Sequence, residues 1–309
     1  MGFFSTVFQV CSGTTVFIQL MERRFLRALF HFFLLVILLA LILATAHSCI
    51  YVPSIRNICN NLFEQIGGLR FSNVEGVRTV KTPLEKKSYL LNDRLRFDYC
   101  PGDTLKEEEI QKWSTPFGVL CLDRGFLFWA ENYADTGKGK FLVIPMAMDF
   151  RQAREETFQS GLSGKELREY AESRFTLKKG QTLSLPERVE SATGLSDQLI
   201  VALWLVIFSG SFLGMFGLGF LMIFFFGVMQ HFWSGLDERK LTFSQILVVL
   251  IYTSFPPMLI AALYSFFMIP VLSPQMMFFI AFFIYYIAVF RKIRNSLNPP
   301  RDPDTNDYF

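Results

Sequence analysis

Residues 241–290 read LTFSQILVVLIYTSFPPMLIAALYSFFMIPVLSPQMMFFIAFFIYYIAVF, without one Asp, Glu, Lys or Arg. As a single straight helix the stretch would run ~75 Å. A bilayer's hydrocarbon core is only ~30 Å thick. The stretch therefore predicts two crossings, residues 242–270 and 273–290, with a turn at Pro270-Val271-Leu272-Ser273-Pro274. Thr242 is a good N-cap for the first arm. Pro256 and Pro257 fall in its middle and should bend it, because two ladder donors are lost. Ser273 caps the second arm, with Pro274 in the favoured first helical position.

Two more apolar blocks lie upstream. The chain is 51% apolar and holds 36 phenylalanines among its 309 residues, and these residues gather in blocks. That is the pattern of a membrane protein. The first block, 28–50, follows Arg23, Arg24 and Arg27. Ala44-Thr45-Ala46 resembles a signal-peptide cleavage site, but the apolar run exceeds the usual 7–15-residue h-region. We read an uncleaved anchor, preceded by a cytoplasmic segment, 1–27. There Phe3, Phe4, Val7, Phe8 and Val10 recur near helical spacing and suggest an interfacial helix. The next block, 196–233, starts at Ser196 as N-cap and is long for one upright crossing. Gly210 and Gly214 near its middle permit close approach of another helix.

Charge placement sets the number of crossings. Arg239-Lys240, in a short loop over 234–241, and Arg291-Lys292-Ile293-Arg294 flank the later blocks, whereas the 271–273 link carries no Lys or Arg. One tilted crossing at 196–233 puts every basic cluster on the side of the N-terminal arginines, the cytoplasm. The expected protein is α-helical, with four transmembrane helices and both termini inside. The Pro-rich tail, 291–309, reads as disordered.

Residues 51–195 then lie outside the cytoplasm. Ile55, Ile58, Leu62 and Ile66, after Pro53, suggest a short amphipathic helix ended by Gly67-Gly68. Short alternating runs follow at 69–71, 77–80, 88–91 and 95–97, with turn formers at Asn73, Pro83 and Asn92-Asp93. Residues 117–122 and 125–130 flank Asp123-Arg124 as a hairpin. Residues 140–144 form another strand, 164–174 a charged helix with Lys165 and Glu169 one turn apart, and 175–177 with 182–185 a last hairpin around Lys178-Lys179-Gly180. The expectation is an inserted α+β domain of mainly antiparallel strands.

Leu241-Thr242-Phe243-Ser244-Gln245, then Tyr252 and Pro256-Pro257, resembles the signature of bacterial Yip1-related integral membrane proteins of unknown function (DUF1189-like). The layout is similar too, with Gly68-Leu69-Arg70-Phe71 opening the outer domain and 117–123 as a following core strand. The resemblance implies a bacterial inner-membrane location and brings no catalytic residues. Eukaryotic relatives act in vesicle trafficking, a role that fold alone does not carry over.

Chemistry-bearing residues are few. Cys49, Cys59, Cys100 and Cys121 fall at or beyond the outer face, and Cys11 inside. In an oxidising compartment we favour Cys100–Cys121 and Cys49–Cys59 as disulfides, against buried free thiols. No C-x-x-C or Cys/His spacing points to a metal, and no cofactor is expected. His31 and His231 both lie towards the cytoplasmic face and could form a joint proton or metal site, against the alternative of separate interfacial side chains. Asp93, Asp98, Asp103, Asp123 and Glu107-Glu108-Glu109 offer carboxylates to a hydrolase but read better as a solvated face. Phe126, Phe128, Trp129 and Tyr133 read as core before ligand platform. The net charge of +3 is too small to argue for nucleic acid.

The expected function is non-enzymatic. The outer domain would bind a partner or ligand, and the helices would pack in the lipid bilayer against each other, a second copy or another membrane protein. The alternatives are an accessory subunit of a transporter or export complex, and a membrane-tethered enzyme acting on envelope lipids or glycans.

Overall fold

The computed structural model of the chain describes residues 2–81, 84, 87–101, 105–131, 138–147, 158–178, 180–184, 187–234, 241–267 and 269–297. Its elements begin with α1 (Phe3–Ser12), α2 (Phe17–Leu20), α3 (Phe25–Ile66), β1 (Leu69–Ser72), β2 (Gly76–Thr79), β3 (Ser88–Leu90) and β4 (Leu95–Tyr99). They continue with α4 (Glu107–Ile110), β5 (Phe117–Leu122), β6 (Gly125–Glu131), β7 (Lys140–Ala147), β8 (Gln159–Ser163), α5 (Gly164–Phe175) and β9 (Arg188–Glu190). The last four are α6 (Ala192–Ser234), α7 (Phe243–Thr253), α8 (Phe255–Phe266) and α9 (Pro274–Leu297). The chain is mostly helical, with four long apolar helices and a mixed-sheet domain. It divides into two compact units, Met1–Tyr51 with Val201–Phe309, and Val52–Ile200. Pro83, Asp103, Tyr133, Lys179, Leu185, Arg239, Lys240 and the 298–309 tail lie outside the described residues.

The helical unit is built around α7. Val248, Val249, Leu250, Ile251, Tyr252 and Thr253 are all buried, so beyond its first turns this helix has no solvent face. A helix apolar all round must be surrounded. Around it stand residues of α1, α3, α6, α8 and α9, including Val10, Phe32, Phe226, Met258, Phe282 and Val289, in one core. The arm predicted over 242–270 is two helices, α7 and α8, that meet at Ser254. Pro256 and Pro257 sit in the first turn of α8, where a missing N–H leaves no orphan donor. Ser273 caps α9 as expected, its hydroxyl accepting from the Met276 N–H at 3.2 Å.

Three helix boundaries differ from the sequence reading. Residues 291–297, read as the start of a disordered tail, continue α9 to Leu297. Pro53 does not separate two helices, because α3 runs through it from Phe25 to Ile66. One lost ladder bond is tolerated when the turns on both sides keep theirs. Ser196 is not an N-cap either. The α6 helix starts at Ala192, Ser191 Oγ accepts from the Gly194 N–H at 3.1 Å, and Ser196 donates its hydroxyl to the Thr193 carbonyl at 2.9 Å.

The other unit stacks its layers on a six-stranded sheet of order β3-β4-β5-β6-β7-β8. All its described neighbours are antiparallel except β4 and β5, which run parallel from Leu95↔Phe117 to Tyr99↔Cys121. The Asp123-Arg124 hairpin forms as predicted, closing on Leu122↔Gly125. A second sheet, β2-β1-β9, is antiparallel throughout. Among the described residues the predicted last hairpin does not form. Phe175 ends α5 and is buried, while Leu177 donates its N–H to Asp123 Oδ2 at 3.1 Å and Leu183 donates its own to the Asn73 carbonyl at 2.7 Å.

Strand alternation sends side chains into two cores. On one face Leu120, Leu127, Trp129, Phe141 and Val143 meet Leu167, Ala171 and Phe175 of α5. On the other, Phe97, Tyr99, Cys121 and Phe126 meet Leu69, Phe71 and Val77 of the small sheet and Leu62, Phe63 and Ile66. Trp113 and Trp129 stack at 4.2 Å, with Phe141 edge-on to both. Gly118 makes room for this box, since a Cβ there would lie 2.4 Å from the Trp129 ring.

Two carboxylates offered above to a hydrolase are tied into this architecture. Asp98 is 3 % exposed and accepts from Arg96 twice, at 2.8 and 2.7 Å, while the guanidinium lies 5.4 Å from the Trp113 ring. Asp123, equally buried, accepts from Arg78 at 2.5 Å besides the Leu177 amide.

Replacing Asp98 by Ala should cost about 3–5 kcal/mol, because it strands the Arg96 charge in a largely buried site. Gly118→Ala should cost about 1–3 kcal/mol through overpacking. It should also weaken the near-ultraviolet circular dichroism of the tryptophan stack. Thermal melts of the purified full chain check both, and unchanged midpoints would contradict the packing described.

Candidate functional site

The most polar point of the helical core lies where α1, α3 and α7 come together. His31 is 5 % exposed, and its Nδ1 is 3.2 Å from the hydroxyl of Tyr252, which is fully buried. The Arg23 guanidinium stands 6.0 Å from the Tyr252 ring centroid, a cation–π distance. Arg23 also donates to Thr6 Oγ1 at 3.1 Å, and Thr6 donates to the Gly2 carbonyl at 2.9 Å. At the far end of α1, Tyr285 donates its hydroxyl to the Val10 carbonyl. These bonds fix the register of α1 on the bundle. Among the described residues, no carboxylate bonds to Arg23, His31 or Tyr252.

The residues of the quoted signature have structural roles in the same unit. Thr242 and Gln245 form a capping box. Thr242 Oγ1 accepts from the Gln245 N–H at 3.3 Å, and Gln245 Oε1 accepts from the Thr242 N–H at 2.9 Å. The box satisfies two amides that α7 would otherwise leave open. Leu241 packs at the core margin, and Phe243 sits 5.4 Å from the His231 ring. His31 and His231 therefore do not meet. Their partners Tyr252 and Phe243 are nine residues apart on α7, roughly 13 Å along its axis. Among the described residues, no three His, Cys, Asp or Glu side chains converge as a metal site would require.

Gly210 and Gly214 do not mark a close helix contact. A Cβ at either position meets nothing within 4 Å. They instead border a cavity of about 280 Å³, with Met215 of α6, Met258 and Ala262 of α8 and Phe278 of α9 also in its wall. Close approach happens at two other glycines of α6. A Cβ at Gly219 would lie 2.4 Å from Met258 Cε, and one at Gly227 would lie 2.9 Å from Leu247 Cδ2. Nothing in the spacing of the five glycines from 210 to 227 distinguishes these roles. Only the rotation of α6 against its neighbours does.

All five cysteines are free thiols. Cys100 donates its N–H to the Cys121 carbonyl at 2.9 Å, so the backbones of the favoured pair are adjacent. Their side chains enter different cores, on opposite faces of the sheet. Cys49 and Cys59 lie ten residues apart on α3, a rise of ~15 Å. A disulfide needs Cα atoms within ~7 Å. Burial, reinforced by Asp98 and Glu109, pushes the Cys100 thiol from 9.0 up to about 12. Burial pushes Cys121 up as well.

These thiols should therefore resist iodoacetamide at pH 8 in the folded chain and react fully once it is unfolded without reductant, as peptide mass spectrometry would read. The unfolded chain loses these protons near pH 9 while the folded chain keeps them. Stability should then fall as pH rises from 9 towards 12, and less steeply in Cys100→Ala.

No curated protein and no solved structure matches the chain. One family does, described as a protein of unknown function, DUF1189, and it matches residues 11–290. The match runs from the end of α1 through the sheet domain and the cavity wall to the last turns of α9, and this chain belongs to the DUF1189 family.

Proposed function

We propose that this chain is a non-enzymatic integral protein of a bacterial cytoplasmic membrane, related to the Yip1 proteins. It crosses the bilayer four times, through α3, α6, the α7–α8 pair and α9. Both termini are cytoplasmic, residues 51–195 are extracytoplasmic, and the outer domain binds a protein or ligand of the envelope. The observation that carries this reading is the surface of the apolar helices. Leu213, Phe224, Phe225, Leu263 and Ile284 are 57–65 % exposed. Water penalises such surface at about 25 cal/mol per Å², whereas lipid tails do not. Contiguous patches of this kind are rare on soluble monomers.

Charge supports the orientation. Arg23, Arg24 and Arg27 precede or open α3, Arg291, Lys292 and Arg294 close α9, and residues 267–273 between α8 and α9 contain no Lys or Arg. The helices α3 and α6, at 42 and 43 residues, run ~63–65 Å each, so both would extend well beyond the hydrocarbon. A binding role for the sheet domain is supported by Phe117, Ile144 and Met146. These side chains are about half exposed (48–50 %) on one face of the six-stranded sheet.

Alkaline phosphatase inserted at Gly139 should be active, and a fluorescent protein after Phe309 should glow. The reverse pattern overturns the crossing count. A photoreactive side chain at Ile144 should crosslink a discrete envelope species in living cells that the same group at Leu90 does not. Identical patterns at the two positions would remove the binding role.

A further inference from the structure

The cavity beside α6 is lined mainly by apolar side chains. Among the described residues its polar side chains are Ser211, Ser265 and Gln275, and none of those that line it is charged. Gly210 and Gly214 are exposed, so it opens onto the surface of the bundle along α6. Behind that opening Leu43, Leu218 and Ala261 continue the apolar wall. Two methionines, Met215 and Met258, give it adaptable sides.

We infer that this cavity holds one acyl chain of a membrane phospholipid. The inference rests on the membrane reading above, since only then does the opening face lipid. Size supports a tail: at about 30 Å³ for each water-sized group, 280 Å³ takes roughly nine methylenes. The rest of the chain leaves by the opening along α6. A phosphate headgroup does not fit the described lining, which offers no Lys or Arg to neutralise it. The glycines account for the opening. A Cβ at 210 or 214 meets nothing within 4 Å, so a leucine there is free to fill the cavity's mouth.

The full chain, extracted from membranes in mild detergent, tests this by native mass spectrometry. Wild type should keep one phospholipid through a delipidating wash, and the double variant Gly210→Leu/Gly214→Leu should keep about ten-fold less. Gly217→Leu is the matched control. Its Cβ also meets nothing within 4 Å, and it does not line the cavity, so this variant should retain the lipid. Equal retention by all three overturns the inference. So does a wild type that carries no lipid, only a free fatty acid, or a second copy of the chain in its place. A measurement on wild type alone guards against misfolded variants. A phospholipid with a diazirine in its tail, reconstituted with the protein in vesicles, should label Met215 and Met258 well above the outward-facing Phe224 and Phe225. Uniform labelling in a chain that resists carbonate extraction sinks the acyl site and leaves the membrane reading intact. Release by carbonate sinks both.

Discussion

A helix without a polar face can be stable only if other helices enclose it, and α7 imposes that condition on its whole unit. Six successive residues, from Val248 to Thr253, are buried. Each neighbour must therefore offer α7 an apolar flank, while its other side faces whatever surrounds the bundle. The ends of α7 are handled locally. The Thr242–Gln245 box closes its first turn, and Ser254 returns its hydroxyl to the Ile251 carbonyl at 2.7 Å where α8 takes over. With its ends satisfied in this way, the helix needs no charged residue of its own, and the quoted motif is understandable as the chemistry of a terminus.

Local chemistry was legible in the sequence and relative rotation was not. The charge-free stretch, the Thr242 and Ser273 caps and the Asp123-Arg124 turn all depend on neighbours within four residues, and all are found. The strands β8 and β9 were missed because Gln159–Ser163 and Arg188–Glu190 lack apolar alternation; partner strands define them. The parallel β4–β5 pair depends on how residues 100–116 return the chain. The thiols of Cys100 and Cys121 were expected to meet because their strands do, but the one-residue offset between Tyr99↔Cys121 and Cys100 puts the sulfurs on opposite faces. Of the candidate site, Tyr252 stands out from the sequence through its motif and His31 as one of three histidines, but their pairing, across 221 positions, has no local signal and the sequence reading sets His31 beside His231 instead.

Small and polar residues divide the helical unit into two regimes. At the His31–Tyr252–Arg23 cluster, hydrogen bonds and a cation–π contact fix α1, α3 and α7 in one arrangement, and Gly219 and Gly227 let α6 close tightly on Met258 and Leu247. Around Gly210 and Gly214, with Ala261 and Ala262 opposite, similar residue types leave space unfilled. A glycine on a helix lowers the wall; what stands behind the wall decides whether the result is contact or vacancy.

The pairing of β1 with β9 has a kinetic side. Phe71 bonds in register with Arg188, so the small sheet closes a loop of well over a hundred residues. Such long closures slow folding, because chain entropy is lost before the contact rewards it. During synthesis β1 and β2 can pair at once, but their third strand emerges only one residue ahead of α6. The sheet domain thus reaches its final topology at nearly the moment the ribosome delivers the second long apolar helix, which makes the timing of one event the clock for the other.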